Sequence, residues 1–164
     1  LKGVYEGIFR SNSGAYVNGK KCGEGKESFP NGCVYEGNWK NDRMHGKGRM
    51  TKPNGDWHEG NWKDGHEHGK GTKFDANTNR TTTGTWVYGN LEGHASEEWE
   101  DGAKFEGNFH NNLKNGPGKL EFKDGSYYEG NFLNNEIHGE GRYYWPNNRT
   151  YIGQWSHNQM SGHG

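Results

Sequence analysis

Aliphatic side chains are scarce in this sequence. Only 27% of the 164 residues are hydrophobic, and aromatics make up half of that share at 14%. So few aliphatics exclude the thick core of an ordinary single domain of this length. No apolar run approaches the ~18 residues of a membrane-spanning helix, and no leader-peptide pattern starts the chain. Charge of one sign is lacking as well. The 20 basic and 21 acidic residues are interspersed and sum to −1, which leaves no basic stripe for nucleic acid or for an anionic membrane surface. The chain begins without Met and stops in mid-repeat, so it reads as a segment of a longer protein, in which a missing leader says little. Cysteine is limited to Cys22 and Cys33, without CxxC spacing or metal-type companions. They fall at the starts of two expected strands, at opposite ends, too far apart to bridge. Reduced thiols and an intracellular setting are the expectation.

Glycine and aromatics are abundant. There are 29 Gly, well above the usual ~7% of residues. The seven Trp, nine Tyr and seven Phe argue against disorder, whose composition is aromatic-poor. These residues repeat. YEGNWKNDRMHGKG (35–48) returns as HEGNWKDGHEHGKG (58–71), FEGNFHNNLKNGPG (105–118), YEGNFLNNEIHGEG (128–141) and YIGQWSHNQMSGHG (151–164), with a weaker copy, TTGTWVYGNLEGHA, at 82–95. The triplet glycine falls at Gly7, Gly37, Gly60, Gly84, Gly107, Gly130 and Gly153. A nearly constant step of about 23 residues means a repeat architecture. The expected organisation is a single array over 1–164 of about seven copies. Residues 1–34 form a divergent first copy with a long loop at 11–21, 35–150 the regular copies, and 151–164 a truncated last one.

Alternation puts Tyr35, Gly37 and Trp39 on one face of a strand and Glu36 and Asn38 on the other. The following Asn41-Asp42, like Asp64-Gly65, Asn111-Asn112 and Asn134-Asn135, is hairpin-turn chemistry. A second strand is expected from Gly46. The register that pairs Glu36 with Arg49 also pairs Gly37 with Gly48, Tyr35 with Met50 and Trp39 with Gly46. It places Glu6 opposite Lys26, Glu106 opposite Lys119 and Glu129 opposite Arg142, and in the eroded fourth copy Thr83 opposite Ser96. A glycine opposite each Trp or Phe would leave room for the ring. Between copies, Pro30-Asn31-Gly32, Pro53-Asn54-Gly55, Asp101-Gly102 and Asp124-Gly125 predict three-residue loops ending in a left-handed glycine. Asp75–Arg80 is a wider loop, and a local irregularity is expected in the fourth copy. The fold class expected is therefore all-β: an elongated single antiparallel sheet of tandem hairpins, twisted into a trough.

The YEGxW triplet, turn and HGxGxxxxxxG tail resemble the MORN repeat family over nearly the whole chain. Within it, YEGNWKNDRMHGKG, GTWVYGNLEG (84–93) and GPGK (116–119) after FEGNF look most like a radial-spoke-head type protein of motile cilia. Departures are the long first loop, His58 in place of Tyr, and the eroded fourth copy. The resemblance implies a non-catalytic β-sheet module of a cytoskeletal or axonemal scaffold, a junctional membrane tether, or an accessory module beside a lipid-kinase or methyltransferase domain.

Signals for chemistry are weak. His45, His68 and His138 share a slot, but equivalent slots lie two strands, about 10 Å, apart, too far for one zinc ion. His66-Glu67-His68 is not HExxH. Gly69-Lys70-Gly71-Thr72 lacks the GKT of a phosphate loop and a following helix. Glu36, Glu59, Glu106 and Glu129 are too widely spaced for an acid–base pair. No catalytic residue, cofactor or metal is expected. The candidate partner-binding face is aromatic: Tyr35, Trp39, Trp62, Trp86, Phe109, Phe132 and Trp155, which either pack on themselves over glycines or grip a peptide or helix. Expected partners are other proteins of a larger assembly, with an axonemal setting suggested by the resemblance. Nucleic acid is not expected. A homodimer through the array and contact with a membrane, as in a lipid-signalling accessory module, stay open.

Overall fold

The computed structural model describes residues 4–7 and 16–162, the side chains of 4–7 excepted. The described residues contain no helix; they form β1 (Val4–Gly7), β2 (Tyr16–Val17), β3 (Lys20–Lys21), β4 (Gly23–Ser28), β5 (Val34–Lys40), β6 (Arg43–Thr51), β7 (Trp57–Lys63), β8 (His66–Asp75), β9 (Arg80–Val87), β10 (Asn90–Trp99), β11 (Lys104–His110), β12 (Leu113–Glu121), β13 (Tyr127–Leu133), β14 (Glu136–Tyr144), β15 (Thr150–Ser156) and β16 (Gln159–Ser161). Fourteen strands enter one sheet in chain order, and β2 and β3 pair with each other as a separate small hairpin. By its contacts the chain divides into two compact units, Leu1–Thr78 with Trp86–Gly89, and Asn79–Thr85 with Asn90–Gly164. The division falls in the eroded copy. Of the long first loop, residues 11–15 lie outside the described residues, while 16–21 make the β2–β3 hairpin.

Much of the expected register is present. Glu6 pairs with Lys26, Glu36 with Arg49, Gly37 with Gly48, Glu106 with Lys119 and Glu129 with Arg142. The turns Asn41-Asp42, Asn111-Asn112 and Asn134-Asn135 have positive φ at both positions, as do Asp64-Gly65 and His157-Asn158. That is the type I′ geometry whose twist matches the flanking strands. The inter-repeat loops close on left-handed Gly32, Gly55, Gly102 and Gly125. In each of these loops a side-chain oxygen, from Asn31, Asn54, Asp101 or Asp124, accepts the N–H two residues on. Cys22 and Cys33 are free and immediately precede β4 and β5.

One expectation fails in four hairpins. Trp39 pairs with Met44, not Gly46, because the register shifts between Gly37 and Trp39. The same shift separates Gly60 from Trp62, Gly107 from Phe109 and Gly130 from Phe132. The second strand therefore begins at Arg43, directly after the turn, and a bulge absorbs the extra residues. Gly46 sits in that bulge with φ +73°, and a Cβ there would point at the Asn38 side chain. Gly46 is thus a backbone requirement rather than space for an indole; its strand partner is Trp62 of the next hairpin.

The polar-face ion pairs also differ from the expectation. Arg49 faces Glu36 but bonds Glu59 on the next strand at 3.2 Å, and Lys119 bonds Glu121 of its own strand at 2.7 Å. Arg49 can reach a carboxylate on either flanking strand, so facing positions do not select its partner.

Candidate functional site

All seven predicted aromatic residues are buried, from 0% exposed at Tyr35 to 6% at Trp155. The structure brings Tyr35, Trp39, Trp62 and Trp86 together in the first unit, and Phe109, Phe132 and Trp155 in the second. The residues that connect them are ones the sequence reading left out. In the first unit the rings follow the order Trp39, Tyr35, Trp62, His58, Trp86, each edge-to-face with the next at 4.7–5.4 Å between centroids. In the second the order is Phe109, Phe105, Phe132, Tyr128, Trp155, Tyr151, at 5.1–5.5 Å. A signal for His58, Phe105, Tyr128 and Tyr151 was available: each lies two residues before a triplet glycine, on the same strand face. Edge-to-face pairs contribute about 0.5–1.5 kcal/mol each beyond area burial, so each row is a repeat-to-repeat fastener.

The glycines make room for the first ring of each repeat. A Cβ on Gly48 would collide with the Tyr35 ring, one on Gly141 with the Tyr128 ring, and one on Gly118 would lie 2.8 Å from Phe105. The fourth repeat shows the converse. Thr82 stands in the ring position and Ala95 replaces the glycine, while a Cβ on Gly84 would meet the Ala95 Cβ at 2.6 Å and Leu91 at 2.9 Å. Ala95 and Leu91 fill the volume that a ring fills elsewhere.

Polar atoms within the rows are satisfied locally. The Tyr35 hydroxyl donates to the Asn38 carbonyl at 3.0 Å, and Tyr128 to that of Asn131 at 2.8 Å. Both carbonyls belong to the residue that the bulge leaves without a partner in its own hairpin. Burial pushes the Tyr128 phenol up to about 12 and raises Tyr35 further. The Trp39 and Trp62 indoles donate to the Gly25 and Gly48 carbonyls at 3.2 and 2.9 Å. His58 is the exception: it is 3% exposed, neither ring nitrogen has a hydrogen-bond partner, and desolvation with a nearby Lys73 pushes its pKa down to about 4.

The opposite face is polar. In the second unit Glu106, Lys119, Glu129 and Arg142 stand directly across from one another on β11 to β14, and Gly107, Gly118, Gly130 and Gly141 form a parallel column beside them. A trough of about 500 Å³ lies along this face, with Asn108, Pro117 and Asn131 on its other side. The first unit repeats the arrangement with Glu36, Arg49 and Glu59.

Elements of other chemistry do not assemble. Among the described residues no three His, Cys, Asp or Glu side chains come together as metal ligands. His68 instead accepts the Tyr88 N–H at 3.2 Å. His45 and His138 each keep a buried Nδ1 without a hydrogen bond. No helix of the described residues is long and apolar enough to cross a membrane.

Comparison with solved structures finds similar sheets of low identity. The TCP domain of Drosophila melanogaster SAS-4, in complex with a proline-rich motif of Ana2, is 21% identical with TM-score 0.45, covering 81% of this chain and 85% of that one. The TCP10c domain of Drosophila melanogaster Sas-4 is 18% identical with TM-score 0.47, over 80% and 79%. An E1021V mutant of the Danio rerio CPAP TCP10 domain is 13% identical with TM-score 0.35, over 85% and 69%. No curated protein matches the chain. The MORN repeat pattern matches seven times, at residues 13–34, 35–57, 58–80, 83–104, 105–127, 128–148 and 151–164. Bulged hairpins, ring rows over glycines and these seven matches agree: the chain belongs to the MORN repeat family, whose repeats are non-catalytic modules of protein and membrane interaction.

Proposed function

We propose that this chain is a non-catalytic scaffold that holds other proteins in a larger assembly, and that the assembly is cytoskeletal, of the radial-spoke type in a ciliary axoneme. The observation that carries the scaffold reading is the segregation of the two faces. Every ring of the aromatic rows is engaged within the chain, whereas the opposite face presents charges of both signs in a register shared by the second, fifth and sixth repeats. Such a face offers many equivalent polar anchors and little net field, which suits a protein partner better than an anionic bilayer. The axonemal setting is supported by the motif pieces at 35–48, 84–93 and 116–119 alone.

The test is chemical cross-linking of the tagged chain at native abundance in ciliated cells, with flotation on anionic liposomes in parallel. Cross-links from Lys47, Lys70 or Lys119 to axonemal proteins, with no flotation, are expected. Salt-sensitive flotation without such cross-links would instead establish a membrane-associated module.

A further inference from the structure

We infer that the polar trough of the second unit is a docking groove for a polyproline-II segment with a basic residue at every third position, lying across the strands. The inference deepens the protein-binding reading and rests on it.

The first argument is spacing. Glu106 and Glu129 occupy equivalent positions two strands apart, with Lys119 between them and Arg142 one strand beyond. Adjacent strands are about 4.8 Å apart, so the two carboxylates repeat at about 9.6 Å. A polyproline-II helix advances about 3.1 Å per residue with three residues per turn, or about 9.3 Å per turn. Two basic side chains three residues apart therefore meet Glu106 and Glu129 with a mismatch of about 0.3 Å. An extended strand repeats its same-face side chains at about 6.7 Å and falls out of step at once.

The second argument is charge and hydrogen bonding. Lys119 is already held by Glu121 at 2.7 Å and lies over the Tyr127 ring at 4.6 Å. Glu106 is held by the exposed His94 imidazole at 3.0 Å, and Glu129 is exposed. Glu140, on the other side of the glycine column, accepts from the Gln154 amide at 3.3 Å. With Lys119 engaged, the row leaves Glu106 and Glu129 against Arg142 alone, which favours Arg or Lys in the ligand. A polyproline-II backbone has no internal hydrogen bonds, so its carbonyls are free to accept from the exposed Asn108 and Asn131 side chains that wall the trough. Its conformation is also preformed, which lowers the ordering cost of a shallow, open groove.

The test is fluorescence anisotropy of the full chain with labelled (Pro-Pro-Arg)4, against a peptide of the same composition with its arginines clustered at one end and against (Pro-Pro-Glu)4. The period-three basic peptide is expected to bind at least tenfold tighter than either control. The exposed pair E106K/E129K should lose that binding tenfold or more and gain affinity for (Pro-Pro-Glu)4, with an unchanged urea midpoint showing that the fold persists. Absence of binding, equal binding of the clustered peptide, or indifference to the charge reversal would each overturn the groove. Should the peptides fail while cross-links to partner proteins persist elsewhere on the chain, the groove falls and the scaffold stands; loss of both removes the scaffold too.

Discussion

The Tyr35 ring lies over Gly48 on the neighbouring strand, so close that a Cβ at Gly48 would collide with the ring. Tyr35 is fully buried and held between Trp39 and Trp62, so it has nowhere to retreat. Gly48→Ala should cost about 2–3 kcal/mol, at the upper end of overpacking effects, measured by urea unfolding. Adding Tyr35→Thr to that variant should cost clearly less than Tyr35→Thr costs in the parent, because the alanine then fills part of the space the ring leaves, as Ala95 does beside Thr82 in the fourth repeat. A double-mutant cycle that shows additivity would contradict the packing account.

The turns clasp one hairpin to the previous one. Asn135 donates its backbone N–H to the Lys114 carbonyl at 3.0 Å and accepts the Lys114 N–H on its side-chain oxygen at 2.8 Å. Asp42, Asn112 and Asn158 make the same side-chain bond to a residue 21 positions earlier. Asn135→Gly keeps the positive φ (72°) but loses the side-chain bond, and should cost about 1 kcal/mol. Asn135→Ala loses both and should cost measurably more, because alanine resists the left-handed conformation. Equal unfolding midpoints for the two variants would show that the backbone conformation contributes nothing there.

His58 makes the first unit sensitive to acid. An unfolded imidazole titrates near 6.5, whereas burial holds the folded one down to about 4. Above pH ~6.5 both states are neutral and the stability is fully present. Between there and about 4 the unfolded chain binds the proton first, so stability falls by up to about 1.4 kcal/mol per pH unit. His58→Tyr restores the ring found in this position at Tyr35 and Tyr128 and should remove that acid limb. The comparison is the urea midpoint of both proteins at pH 7.5, 6 and 5; parallel curves would mean that His58 is not the group responsible.

How much of this was legible in the sequence differs by level. The repeat, the strands, the loop glycines and the Glu36–Arg49 register followed from a period near 23 and strict alternation. The bulge did not: Gly46 and Gly48 look identical in sequence, yet one is a left-handed backbone position and the other lies beneath a ring. Periodicity reports which face a residue shares and is silent on a local shift of pairing. All seven candidate aromatics are buried, and alternation alone does not tell whether a face of rings is covered. The completing rings at His58, Phe105 and Tyr128 answer that, since each fits between two neighbours, and Tyr151 ends its row against Trp155.

Glu97 is the buried charge of the second unit, 4% exposed, with Lys114 at 3.1 Å and Arg80 at 3.6 Å. Lys114 also lies 4.8 Å from the Phe105 ring centre, so its ammonium is enclosed by aromatics and one carboxylate. Removing one partner leaves a charge with little water to solvate it, and Glu97→Leu alone should cost about 3–5 kcal/mol. Other repeats carry Leu120 in the position of Glu97 and Met44, Leu91 or Ile137 in that of Lys114, so the ring face accommodates apolar side chains at both sites. The double variant E97L/K114M should therefore return to within about 1 kcal/mol of the parent, or exceed it, since a buried ion pair seldom outperforms well-packed apolar groups. A double variant as unstable as the single one would mean that Glu97 is held for Arg80, and that the Lys114 contact is incidental.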